Sequence, residues 1–334
     1  MRPMKQQFIG WTGALALFVL MGCENDETPP YDTDFPIPRG VVFESNLSTY
    51  DLFEGPMDEL VPAEGVILYE LTSELFTDFA SKQRLLKLPE GETATVGEDW
   101  EVSYPEGTII AKTFYYPLDA RNPEGERTIL ETRLLILNGE NWNVATYRWN
   151  EEQTDGVLML DGDTVPMAWT DEQGQPLSTN YRVPHEGECV TCHQKNGKSV
   201  FIGPTIASLN RSVLRDGEFR SQLEYLESEG VVESRVWESA PATANYKDPE
   251  DSPEDRARAY LHSNCAHCHN PGGWEEPADE GMDFRWETPL SQTGIPENRR
   301  EILRQLESGQ MPYLGTTLLH TEGLDVMESY LNSL

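Results

Sequence analysis

Two pentapeptides of one pattern carry the chemistry that can be read from this chain: Cys189-Val190-Thr191-Cys192-His193 and Cys265-Ala266-His267-Cys268-His269. A thiol pair at this spacing, followed at once by an imidazole, is the attachment signature of a c-type haem. The two sulfurs reach the vinyl groups of one porphyrin, and the adjacent histidine lies under the iron as its proximal ligand. The competing chemistry is a structural zinc site. Zinc ribbons place their second Cys-x-x-Cys within about 20 residues of the first, whereas 72 residues separate Cys192 from Cys265. The pattern therefore predicts two covalently bound haem c groups, on Cys189, Cys192, Cys265 and Cys268, with His193 and His269 as iron ligands.

The fifth cysteine is Cys23. A basic start with Arg2 and Lys5, an apolar run from Phe8 to Met21 and a small residue before Cys23 describe an export signal over 1–22. The run is too short and too terminal to favour a permanent membrane span. Leu20-Met21-Gly22-Cys23 resembles a bacterial lipobox, which implies cleavage before Cys23 and a lipid anchor on its sulfur. The plainer alternative is an ordinary signal peptide. Attachment of haem c occurs outside the cytoplasm, so the two readings agree on a cell-envelope location facing the periplasm. No cysteine is then left for a disulfide.

The chain has 334 residues and a net charge of −33. Loss of 1–22 removes two cations and no acid, moving the charge to −35. Phosphate binding needs clusters of Lys and Arg, so nucleic acid is an unsuitable partner. A basic redox protein could be steered to such a surface; a solvated acidic surface needs no partner at all. Residues 23–40, rich in acid and proline, read as a tether spanning roughly 50 Å when extended.

The elements that must position the motifs follow in two styles. Residues 41–182 read as an antiparallel β domain, sandwich or partial barrel: Thr108–Tyr116 and Ile129–Leu137 are strand-like, and Asn138-Gly139 marks a hairpin. One short helix is expected near Ser73–Ala80. Trp142, Trp149, Trp169 and Tyr181 fit half-buried strands better than a sugar platform. From 183 onward the pattern is helical, with one or two helices in Ser208–Glu229, a helix starting at Pro253, another over Glu297–Leu306 and a last near Glu322–Leu331. The expectation is a multidomain β plus α protein: a β-rich domain over 41–182, a first haem region over 183–252 and a second haem domain over 253–334.

A helix, a Cys-x-x-Cys-His, then a methionine loop before a terminal helix resembles class I cytochrome c, and residues 254–333 follow that order. Met311 lies 42 residues after His269 and just before the last helix. The resemblance implies that Met311 supplies the sixth ligand, a soft thioether that raises the iron potential. His320 is the reserve candidate, and core filling is the alternative role of Met311. His267, inside the attachment loop, is expected to point outward; His262 reads as a surface or packing residue that could also serve the other haem. Around the first motif, Gly203-Pro204 also resembles cytochrome c. That likeness implies that the Pro204 carbonyl accepts a hydrogen bond from His193 and fixes the imidazole.

Between His193 and His262 there is no methionine and no other histidine. The first haem must take a sixth ligand from elsewhere (His185, His262, His320, Met159, Met167 or Met282), use Lys195, Lys198 or water, or stay open to a small molecule. From about residue 41 onward the chain is similar to an uncharacterised family of bacterial dihaem c-type cytochromes. The matching stretches are Lys112–Pro117, Glu131–Leu135, Gly203-Pro204 and Arg256–Pro271. Two haems with His/Met ligation at Met311 suit electron transfer between an envelope donor and an acceptor, which is the expected function. Two other functions remain open: a dihaem peroxidase or small-molecule oxidoreductase with an open first haem, and an envelope binding module carrying redox haems.

Overall fold

Apolar residues at every second position on both faces of the strands build one antiparallel sheet. A computed structural model describes residues 40–235, 237–274 and 281–334. The expected signal segment, Cys23 and the tether up to residue 39 lie outside the described residues. The strands are β1 (Val66–Leu68), β2 (Ser81–Lys87), β3 (Ile109–Pro117), β4 (Arg127–Asn138), β5 (Asn141–Trp149) and β6 (Gly156–Met159). They pair in chain order, as a meander. The β4–β5 hairpin turns at Gly139, whose φ of 59° suits the left-handed position that such turns require.

Side chains alternate across the sheet. Leu85, Ala111, Leu134 and Ala145 stand opposite one another in register on one face. They pack under Leu47, Leu52 and Leu60. One residue on, Leu86, Ile110, Leu135 and Val144 form the matching row of the other face. That face is covered by Ile206, Leu209, Leu223 and Leu226. The sandwich or partial barrel expected for this region is therefore a single sheet. Its second face is closed by chain beyond residue 183 rather than by another sheet, so residues on both sides of the 182/183 boundary share one core. A separate hairpin, β7 (Asp163–Thr170) with β8 (Pro176–Val183), adds Trp169 and Tyr181 to a third cluster with Phe114 and Tyr116. Trp142, Trp149, Trp169 and Tyr181 are all buried, as core residues.

The helices are α1 (Glu186–Cys192), α2 (Ile206–Leu209), α3 (Gln222–Ser228), α4 (Pro253–Asn264), α5 (Ile295–Glu307) and α6 (Thr321–Leu331). Ser252 caps α4 by accepting the Asp255 N–H at 3.1 Å, with Pro253 in the first turn. Helices α4, α5 and α6 share a core of Tyr260, Leu261, Ile302, Leu306 and Met327. Gly323 lets α6 approach closely: a Cβ there would lie 2.3 Å from the Tyr260 ring.

The stretch Ser208–Glu229 holds one of the expected helices, α3, and the expected helix at Ser73–Ala80 fails. Between α2 and α3 stands a hairpin, Ser212–Arg215 with Glu218–Ser221, because Asp216-Gly217 takes positive φ at both turn positions. Ser73–Ala80 is a loop rather than a helix. Its polar groups are taken by distant partners: Ser73 donates to the Ala244 carbonyl, and the Phe76 N–H donates to Asn264. The buried Asp78 carboxylate accepts from Thr317 and Leu318.

Candidate functional site

Each pentapeptide folds into one helical turn. The His193 N–H donates to the Cys189 carbonyl, and the His269 N–H to the Cys265 carbonyl, both at 2.9 Å. Sulfurs three residues apart then share one face of the turn. The first turn closes α1. Glu188, buried at its start, accepts the His185 N–H at 3.0 Å and holds the Arg182 guanidinium of β8. The second turn follows α4, whose last residue, Asn264, is fixed by Phe76.

The fold brings the two turns face to face. The Asn196 N–H, just after the first, donates to the Gly272 carbonyl, just after the second, at 2.8 Å. Cys192 Sγ, Cys268 Sγ and a His267 ring nitrogen all lie within 4.8 Å of one another. All four cysteines of the pentapeptides are free thiols. Burial pushes Cys189 and Cys265 up to about 12, and a hydrogen bond with Cys268, aided by burial, holds Cys192 well above the usual thiol range. Cys189, Cys192 and Cys265 are thereby held neutral at pH 7, which disfavours a thiolate nucleophile at those positions.

Each turn opens on its own cavity. The first, about 1580 Å³ of atom-free space with part open to solvent, is bordered by Cys189, Cys192, His193, Pro204 and the sheet. The second, about 960 Å³ by the same measure, is bordered by Cys265, Cys268, His269, Met311 and Phe284. Cys192, His267 and Asn264 border both. Both expose mostly apolar wall, as suits a large flat ligand, but charged side chains, Arg84, Lys112, Arg133 and Glu188 among them, also line the first.

The imidazoles differ. His193 donates from Nδ1 to the Val200 carbonyl at 3.1 Å, leaving the Nε2 lone pair for a metal. The expected acceptor, Pro204, is displaced by Val200, because the short hairpin Gln194–Lys195/Lys198–Ser199 folds the chain straight back over the ring. Pro204 instead lines the cavity. His269 Nδ1 is buried with no partner, and its ring lies 5.0 Å from Phe284. Burial lowers His193 to about 3 and His269 to about 4, so both are neutral and able to ligate at pH 7.

The other candidate ligands separate clearly. Met311 shares the second cavity with His269, and Met282 lines it too. His320 borders neither cavity of the pentapeptides; its ring stacks on Phe76 at 4.0 Å, among Phe79, Tyr246 and Tyr260. His185 caps α1 by accepting the Gly187 N–H. Met167 is buried in the Phe114–Tyr116 cluster, Met159 packs against that cluster, and neither lines the two cavities. Lys198 pairs with Glu140, and Lys195 is exposed. Among the described residues no methionine lines the first cavity. His262 does, but its Nδ1 accepts the Trp286 N–H at 3.0 Å, so the neutral ring carries its proton on Nε2. In that state it is a donor, not a ligand. His267 lies between the two cavities instead of pointing outward, because the second turn packs against Cys192.

Sequence reasoning missed one group entirely. Arg84, Lys112 and Arg133 stand directly opposite one another on β2, β3 and β4, and all three line the first cavity. Single cations inside otherwise strand-forming runs of a strongly acidic chain were the available signal. Comparison with protein-family models, with curated proteins and with solved structures gives no match.

Proposed function

We propose that the chain is a dihaem c-type cytochrome of the bacterial cell envelope, lipid-anchored through Cys23, that passes single electrons between protein partners. The observation that supports it best is the pairing of two helical Cys-x-x-Cys-His turns, each opening on its own apolar cavity. Bound haem supplies one-electron exchange at iron; the chain supplies ligation, burial and charge. In this reading Cys189 and Cys192 hold one haem over His193, and Cys265 and Cys268 hold the other over His269. Val200 fixes the His193 tautomer, and Met311 stands ready as the second sixth ligand. Contact between Cys192 and Cys268 favours short transfer between the two centres.

The test is the optical spectrum of the reduced protein, matured in a host that attaches haem c, with and without carbon monoxide. Unchanged spectra support electron transfer through two six-coordinate irons. Carbon monoxide binding by about half the haem would favour the small-molecule oxidoreductase reading at the first cavity, where the Nε2–H of His262 would face the ligand.

A second reading has one specific observation behind it. Cys192, His267 and Cys268 are near enough to hold one soft metal ion. It requires two free thiolates from residues the first reading commits to thioethers, so the two exclude each other.

A further inference from the structure

The first cavity has an amphipathic floor. One row of the sheet presents Ile110, Leu135 and Val144; two residues along each strand, the next row presents Arg84, Lys112 and Arg133. Like charges directly opposite one another destabilise a sheet, and buried charges need partners. Partners here are incomplete. Arg84, only 4% exposed, pairs with Glu74 at 2.7 Å, but its Nη2 is buried with no partner. Arg133 pairs with Glu131 at 2.6 Å. Lys112 makes no ion pair among the described residues and lies 5.0 Å over the Phe114 ring. With neighbouring Lys82 and Arg182, five cations face three carboxylates, Glu74, Glu131 and Glu188. When all five are protonated they exceed the carboxylates by two, in a chain of net charge −33, and a ligand with two anionic groups would favour that state.

We propose that this floor seats the haem attached at Cys189 and Cys192, its ring on the apolar row and its two carboxylates on the Arg84–Lys112–Arg133 ladder. The inference rests on the dihaem reading above and adds the sheet to the haem pocket. Burial and the neighbouring cations hold Lys112 well below the usual lysine range, which fits a site whose anion completes it. The ladder then has two effects. It orients the porphyrin so that the thioether edge meets α1, and its charge favours the reduced iron, raising the potential of the first centre.

The test compares the haem-loaded protein with Lys112→Met and Arg84→Met, reading haem content and both midpoint potentials. The expected result is two haems in each protein and one potential that falls. The fall corresponds to a loss of about tenfold in the reduction equilibrium, about 59 mV for one electron. The potential that falls is the one Met311→Ala leaves in place. Lys112→Arg, which keeps the cation, should hold that potential near the wild-type value, which separates a ligand-holding role from a structural one. Two haems with both potentials unchanged in both variants would overturn the ladder and leave the dihaem reading standing. A wild-type spectrum shifted by millimolar oxalate, with the shift lost in Lys112→Met, would overturn it in favour of a free anion. Absence of haem would overturn both.

Discussion

Under the proposed dihaem reading, Met311 is the residue on which the character of the second centre depends. It lines the cavity of His269, where the other sulfurs among the described residues are those of Met282, Cys192, Cys265 and Cys268. Met311→Ala should expose that iron, so that the reduced variant binds one more carbon monoxide per chain than the wild type does, with a lower second potential as the soft ligand is lost. Carbon monoxide titration of the variant against wild type checks it. His320, the reserve ligand, behaves instead as a buried packing residue with an unpartnered Nδ1. Burial lowers it from 6.5 to about 4. The unfolded chain therefore binds the proton more readily than the fold does. Stability is full above pH 6.5, falls as pH drops toward 4, and loses of order 2 kcal/mol from this group. His320→Phe should flatten that part of the curve of urea midpoint against pH, read in the haem-loaded protein, where His193 and His269 are engaged.

Among elements, the loop 73–80 shows why local pattern was not enough. Its residues look helical in isolation, yet Asp78 spends its carboxylate on the backbone of Thr317 and Leu318, more than two hundred residues away. This contact ties the loop to the segment between Met311 and α6. Asp78→Ala would take the acceptor from the part-buried Thr317 and Leu318 N–H groups, at a cost of about 1–3 kcal/mol. Urea unfolding should register that cost, and the spectrum of the second haem should change with it. The strands β3 and β4, the start of α4 at Pro253 and the last helix were legible, because alternation, capping and periodicity are local signals. The single sheet in place of a sandwich was not legible, since nothing local says that Leu223 and Leu226 cover Leu135. For the same reason the pairing of Cys192 with Cys268 could not be read from two motifs far apart in sequence. The motifs themselves were fully legible, and Val200 was missed because its role depends on a two-residue hairpin.

At the scale of the whole molecule, the sheet, the α1 turn and the α4–α6 bundle converge on two adjoining cavities, while the charge outside them is strongly acidic. In the proposed reading, buried cations on the sheet and surface acids elsewhere divide two tasks, holding an anionic ligand and meeting a cationic partner. Electron exchange with a small basic redox protein should slow severalfold as ionic strength rises from about 0.01 M to 0.15 M, where screening shortens from about 30 Å to about 8 Å; stopped-flow kinetics at the two salt concentrations check it. The central claim is that four thiols carry two haems. Its most direct test is the intact mass of the denatured, alkylated protein, expressed with haem attachment machinery. The account predicts a mass increased by two haems, with no alkylation at Cys189, Cys192, Cys265 or Cys268. A chain of haem-free mass, with all four cysteines alkylated and one zinc per native molecule lost on Cys268→Ser, would contradict it.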